Sequence, residues 1–412
     1  MRCWTVLFFA GLVISGSAQW VSVGPDGGNV QALAVDPQNP DRLLAISYTY
    51  PDTPQVYFSS DRGASWQVQG RFDQISASAL EFDPFVRDRV YALAGSGYVL
   101  ISTDCGASWR MGTLPGLNNT LKPDPHHAGR ILVGGYDVVN GNYLPVVQIS
   151  TDYGATWTRV IVDSTANNRP VQGITFDPAV RDVVWAGCVA GRIYRSGDGG
   201  FSWEPRYTGV APLAAVYRIA VSPGNSELLL AGTSAGIYRT TDGGFQWTPV
   251  GLSRTRIVVF PGTDTSRAYA VSYDTVLFTE RVFVSSDTGV TWNPAEPGMV
   301  LAKSGGLIVD PQVRDLAYIY CNRGVFRSTD AGAHWSERHT GMRFAHISTI
   351  SVSPTDSSRV YLEFYENGVY RSDDGGTSWE RCPEFLDCGN ICGIGVAPGA
   401  GADILYALEG KG

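Results

Sequence analysis

Charge is thin in this sequence: 17% of its 412 residues are Asp, Glu, Lys or Arg, and 31 basic residues stand against 39 acidic ones for a net charge of −8. Without a surplus of basic charge there is no footprint for nucleic acid or anionic lipid, and neither partner is expected. Long apolar runs are missing after Ile14, so no later segment offers the roughly 20 residues that a membrane-spanning helix takes. The start, Met1-Arg2 with the apolar run Cys3 to Ile14 and then Ser15-Gly16-Ser17-Ala18, reads as a secretory signal peptide over 1–18. The mature chain is then 19–412, with no membrane span, in a secreted setting: periplasmic, cell-surface or extracellular.

Metal and nucleophile signals are equally sparse. There is no paired Cys-x-x-Cys, and His126-His127 sits beside a proline turn with no partner at ligand spacing, which points to a solvated turn and to no metal. No nucleophile elbow, phosphate loop or amphipathic helix is present, so no cofactor is expected. Of the seven cysteines, Cys3 leaves with the signal. Cys382, Cys388 and Cys392 lie close enough for one local disulfide of unspecified pairing, while Cys188 and Cys321 fall on apolar strands as inert thiols. Asn118-Asn119-Thr120 fits a glycosylation acceptor.

What is abundant is turn chemistry, with 48 glycines and 23 prolines. One pattern, Ser/Thr-x-Asp-x-Gly-x-x-Trp, occurs eight times. Its aspartates are Asp61, Asp104, Asp152, Asp198, Asp242, Asp287, Asp330 and Asp374, and its tryptophans Trp66, Trp109, Trp157, Trp203, Trp247, Trp292, Trp335 and Trp379. Successive aspartates lie 43, 48, 46, 44, 45, 43 and 44 residues apart. A strand-rich period in the forties is that of propeller blades, four-stranded sheets that bury both faces only against neighbours. In each box the short carboxylate collects turn N–H groups, the glycine supplies a positive φ, and the tryptophan buries its ring between blades. These sixteen residues therefore read as structural.

The pattern is the Asp box, and the chain resembles the Asp-box (BNR) repeat superfamily, which includes sialidases, xyloglucanases, the sortilin lumenal domain and photosystem II assembly factors. The resemblance covers nearly everything after the first two dozen residues. It implies an all-β propeller with the boxes on its periphery, away from the central channel. Sortilin and the assembly factors imply protein or peptide partners, xyloglucanases a polysaccharide.

A second marker accompanies each box: an apolar strand ending at a proline turn, as in Ala32-Leu33-Ala34-Val35-Asp36-Pro37, followed by another apolar strand. Three of these turns, Asp83 to Asp88, Asp177 to Asp182 and Asp310 to Asp315, repeat one wording that ends Val-Arg-Asp, which reads as a solvated turn with a local ion pair. Eight full units point to eight blades, with seven blades plus the start of a second domain, or a ring of up to ten, left open. Gln19-Trp20-Val21-Ser22 matches the strand after a box and is expected to close the ring. A ninth unit stops at Gly412 before any box, so the chain reads as truncated within it.

With strands named A to D from the axis outward, the proline turns and boxes share one face, and the varied B–C and D–A loops share the other, where binding is expected. There stand Tyr48, Tyr50, Tyr136, Asp137, Tyr143 and Tyr273, ring faces beside polar groups as a glycan or peptide surface would use. Arg218, Arg256, Lys303 and His346, near strand A starts, form a weakly basic ring at the channel mouth in this reading. A sialidase-like site would need an N-terminal Arg-Ile-Pro, and only Tyr217-Arg218-Ile219-Ala220 comes near it. A xyloglucanase-like site would need two carboxylates across a cleft between two propellers. Asp52 stands near the expected loop but out of register, and Asp137, Glu280, Glu363 and Glu366 are further acids on that face. The expectation is thus a non-catalytic module binding an extracellular protein or glycan, and the alternative is a glycoside hydrolase or a fragment of one.

Overall fold

The computed structural model describes residues 30–409 apart from 48–53, 73–76, 95–96, 140, 166–168, 263–265, 275–278, 296–303, 311–312, 314, 322–323, 339–346, 355, 357, 365–367, 376–377, 383–390 and 399–402. Among these residues every element is a β-strand. They form eight four-stranded antiparallel sheets, each of consecutive strands in the order A-B-C-D, and one two-stranded sheet. The A strands of blades I to VIII are Val30–Val35, Ala77–Phe82, Leu117–Pro123, Val171–Phe176, Val216–Ser222, Thr255–Val259, Ser304–Val309 and Ile347–Val352. The two-stranded sheet, IX, pairs Ile391–Pro398 with Asp403–Glu409. This is a propeller of four-stranded blades. The signal segment and the strand expected at 19–24 lie outside the described residues.

The eight blades expected from the repeat are all there, and their packing divides them. Strand A of each blade from I to VI packs on the next blade, and strand A of VII packs on both VI and I, whereas VIII packs on IX. The buried clusters agree, one to each junction. Leu316, Tyr318 and Val325 of VII meet Val30, Leu33 and Leu43 of I, while Tyr361 and Val369 of VIII meet Val396 and Leu405 of IX.

Two repeated hydrogen bonds give the same answer. Trp247 Nε1 of blade V donates to the Arg206 carbonyl at the end of blade IV, and Trp66 of blade I donates in the same way to Arg338 at the end of blade VII. Arg239 of V donates to the Thr288 carbonyl in the box of VI, as Arg327 of VII does to Arg62 in the box of I. Seven blades therefore make a ring. It is joined face to face at VII–I, with four described strands in every sheet of the ring.

Each box is a hydrogen-bonded hairpin, with Trp66 and Trp247 buried and the other six box tryptophans half-buried. Asp152 is typical: Ser150 and Thr156 hydroxyls and the Thr156 N–H all donate to its carboxylate, and Gly154 N–H donates to the Ser150 hydroxyl. The Thr156 hydroxyl first, then that N–H, holds the Asp152 carboxyl down at about 2, and Thr291 does the same for Asp287, also at about 2. The position before the glycine is left-handed too, and carries a side chain at Arg62, Cys105, Tyr153, Thr288 and Ala331. Trp66 and Trp247 are fully buried between blades.

The three Val-Arg-Asp turns carry more than a local ion pair. Their final aspartates also pair across blades. Asp88 takes Arg42 of blade I, Asp182 takes Arg130 of blade III at 2.6 Å, and Asp315 takes Arg267 of blade VI. The adjacent Arg87 stays 3.8 Å from Asp88 and mostly exposed. Each arginine directly precedes its strand B, where the blade converges on its neighbour. His126 joins the same kind of contact, its ring 2.8 Å from the Asp177 carbonyl of blade IV, so it is no free turn residue. Asn118 and Thr120 are buried, which leaves no room for a glycan on the folded chain.

Candidate functional site

Chain direction puts the proline turns and boxes of the ring at one end of every blade and the B–C and D–A loops at the other. The turn end is self-contained: Arg62 N–H and Cys105 N–H of the boxes donate to the carbonyls of Asp41 and Asp88 in the proline turns. The hairpins that differ from blade to blade are at the loop end.

Blade III dominates that end. Its strands B and C, Ile131–Val139 and Asn142–Ser150, are nine residues each and stay in register to Val139 opposite Asn142, closed by Gly141 at φ 78°. The hairpin carries Tyr136 and Tyr143 edge to face, 5.4 Å apart at 63°. Tyr143 is 46% exposed and Val138 beside it 53%. Gly116, at φ 82°, lets the incoming loop run against the hairpin, since a Cβ there would lie 2.1 Å from the Tyr136 carbonyl oxygen. Asp137 is nearly buried, accepting the Val138 N–H at 2.8 Å and the Arg159 guanidinium at 2.6 Å.

The other expected residues divide. Tyr48, Tyr50, Lys303, His346 and Asp52 lie outside the described residues, as do Glu366, the side chain of Glu363 and the local disulfide expected among Cys382, Cys388 and Cys392. Tyr273 is half-buried on blade VI, its N–H donating to the Arg254 carbonyl. Arg256 is spent on Glu280 of its own blade at 3.3 Å. His346 directly precedes blade VIII, which packs on IX. Of the basic ring expected at the mouth, the two described members, Arg218 and Arg256, both bear on the Tyr320 phenol.

What occupies the channel went unread in the sequence. A β-bulge recurs at the start of strand A, leaving Gln31, Gln172, Tyr217 and Arg256 without a partner across the ladder. Tyr320 of blade VII lies over Gly306, whose missing side chain makes the space. Burial raises its phenol pKa, and it feels the charges of Arg218, Glu81 and Arg256, on blades V, II and VI. Glu81 itself is paired with Lys122 of blade III. The one legible signal for Tyr320 was the Gly305-Gly306 pair.

Chemically, this face offers exposed tyrosine rings, and among its described acids Asp137 and Glu280 are each held by a cation while Asp163 accepts from Thr165 and the Tyr194 hydroxyl. No group of three or more His, Cys, Asp or Glu side chains that could hold a metal occurs among the described residues. Among the described residues no helix is long and apolar enough to cross a membrane.

No family model matches the chain. A xyloglucanase of a Paenibacillus species is 29% identical over 229 residues, 44% of this chain, and the match takes in about a fifth, 21%, of that enzyme's length. Among solved structures, a GH74 xyloglucanase from Xanthomonas campestris superposes with a TM-score of 0.62 at 17% identity, over 88% of this chain and 68% of its own. An ancestral GH74 enzyme reaches 0.71 at 18%, over 96% and 60%. YCF48 bound to a D1 peptide reaches 0.54 at 14%, over 74% and 93%. The structural likenesses are those of fold, and the sequence likeness favours a glycoside-hydrolase-like propeller over the purely binding module expected above.

Proposed function

We propose that the chain is the propeller part of a secreted glycoside hydrolase acting on a β-linked plant-type polysaccharide of the xyloglucan class. The likeness over 229 residues to a xyloglucanase carries this reading. The blade III hairpin supports it, because Tyr136 and Tyr143 give the apolar ring faces on which a sugar packs, with polar groups beside them. Hydrolysis with inversion takes an acid and a base about 6.5 to 9.5 Å apart across the scissile bond, with a water between. In this reading the seven-blade ring holds the glycan and offers Asp52 as one carboxylate. A second stack of blades, begun by VIII and IX, supplies the other across a cleft.

A second reading, glycan binding without turnover, is favoured by the pairing of Asp137 and Glu280 with Arg159 and Arg256, which leaves neither of them poised as a catalytic acid. One pair of measurements on the full chain separates the two: reducing-end release from xyloglucan and mixed-linkage glucan, and retardation of the protein in gels containing each polymer. Release that disappears in Asp52→Asn while retardation persists supports the hydrolase. Retardation without release supports the module. Neither release nor retardation would discard both.

A further inference from the structure

In blades I to IV the aspartate ending strand A uses Oδ1 to accept N–H groups two and three residues on, as Asp36, Asp83, Asp124 and Asp177 all do. The second oxygen then needs a donor of its own. Asp36 Oδ2 has Arg42 at 2.8 Å, Asp124 Oδ2 has Arg130 at 2.6 Å, and Asp83 Oδ2 has the Tyr91 hydroxyl at 2.6 Å. Blade IV has neither device. Val183 stands where Arg42 and Arg130 stand, and Trp185 where Tyr91 stands. Asp177 is wholly buried and its Oδ2 has no partner, and the Trp185 indole N–H lacks an acceptor as well.

Val183 and Trp185 border open space. A cavity of about 250 Å³ lies between blades IV and V on the turn face, with Asp177, Val183 and Trp185 in its lining. At its edge Phe245 is 63% exposed, with the Arg206 guanidinium 4.2 Å above the ring. Glu227 and Asp242 add two carboxylates to the lining, whereas its cations, Arg195 and Arg206, are both drawn onto Glu204. A buried carboxylate oxygen with no donor is costly, and a guanidinium is the group this fold itself uses to satisfy it.

We propose that this cavity receives an arginine side chain from a peptide segment of a protein partner, its guanidinium taking the place on Asp177 that Arg42 and Arg130 take on Asp36 and Asp124. Phe245 flanks the aliphatic stem, and a carbonyl of the segment accepts the Trp185 N–H. The site is on the face opposite the blade III hairpin, so it stands or falls apart from the glycan reading.

The test is calorimetric titration of the full chain with acetyl-Gly-Arg-Gly-amide and its citrulline counterpart. Saturable binding of the arginine peptide, at least about ten-fold tighter than citrulline, is expected, a gap of 1.4 kcal/mol or more. Val183→Arg, which installs the sister blades' own arginine, should abolish binding while leaving the melting temperature at or above that of the parent. Asp177→Asn should abolish it too. Equal binding of both peptides, no saturation at millimolar peptide, or unchanged affinity in Val183→Arg would overturn the proposal. So would loss of xyloglucan-oligosaccharide binding, in place of peptide binding, on Val183→Arg, because that would assign the cavity to a sugar.

Discussion

The two ends of the seven-blade ring are made by different rules. At the turn end each box acid is consumed within its own hairpin, and neighbouring turns are stitched together by Arg42, Arg130 and Arg267. At the loop end the hairpins differ from blade to blade, and blade III leaves tyrosine rings standing in solvent. Repetition thus marks where side chains satisfy one another, and irregularity marks where they are left to meet something else.

The largest effect that sharpens this contrast is Trp247→Ala. The ring is 1% exposed and bonds blade V to blade IV, so its truncation should cost about 3 to 5 kcal/mol in denaturant unfolding. Glycan retardation should be unchanged where the mutant is folded. Next comes Arg130→Ala, which strands the buried Asp124 and should cost about 3 kcal/mol. A loss near zero would mean that the clamp between blades is solvated.

Acid gives a third measure. Asp152 and Asp287 have carboxyls held near 2 in the folded chain, below the ordinary value of about 3.9. A depressed folded pKa contributes stability that is complete above the unfolded pKa and disappears as pH falls through the folded one. Melting temperature should therefore drop between about pH 4 and pH 2. Thr156→Val and Thr291→Val, which remove the leading hydroxyl donors, should shrink that drop and end it at higher pH. Smallest for stability is Tyr143→Ala, expected to change folding by less than about 0.5 kcal/mol. Its effect should appear instead as roughly five-fold weaker xyloglucan retardation, one ring contact being worth about 1 kcal/mol. An outcome reversed between Trp247 and Tyr143 would dissolve the distinction between the two ends.

Much of the turn end was legible before any coordinates, because Asp, Gly and Trp at fixed spacing have local reasons to be there. The cross-blade clamp was half-legible. The three receiving aspartates were noticed, but their donors precede the next strand of the neighbouring blade, some fifty positions earlier in the chain. Ring closure was not legible at all: Trp66 and Arg338 are 272 residues apart, and nothing in a period says which copy meets the first. Of the site, the Tyr136 and Tyr143 pair was readable as a long loop with aromatics. Tyr320 was hidden because the charges it feels come from three other blades.

The junction of blades VII and I has a mechanical meaning. All other neighbours in the ring are joined by covalent chain as well as by packing, whereas this pair is held by side chains and a few bonds such as Trp66 to Arg338 and Arg327 to Arg62. It is the seam of the wheel. Under tension, or in a transient opening sensed by hydrogen exchange, this is where the circle should part first and where a single engineered crosslink should stiffen the whole rim.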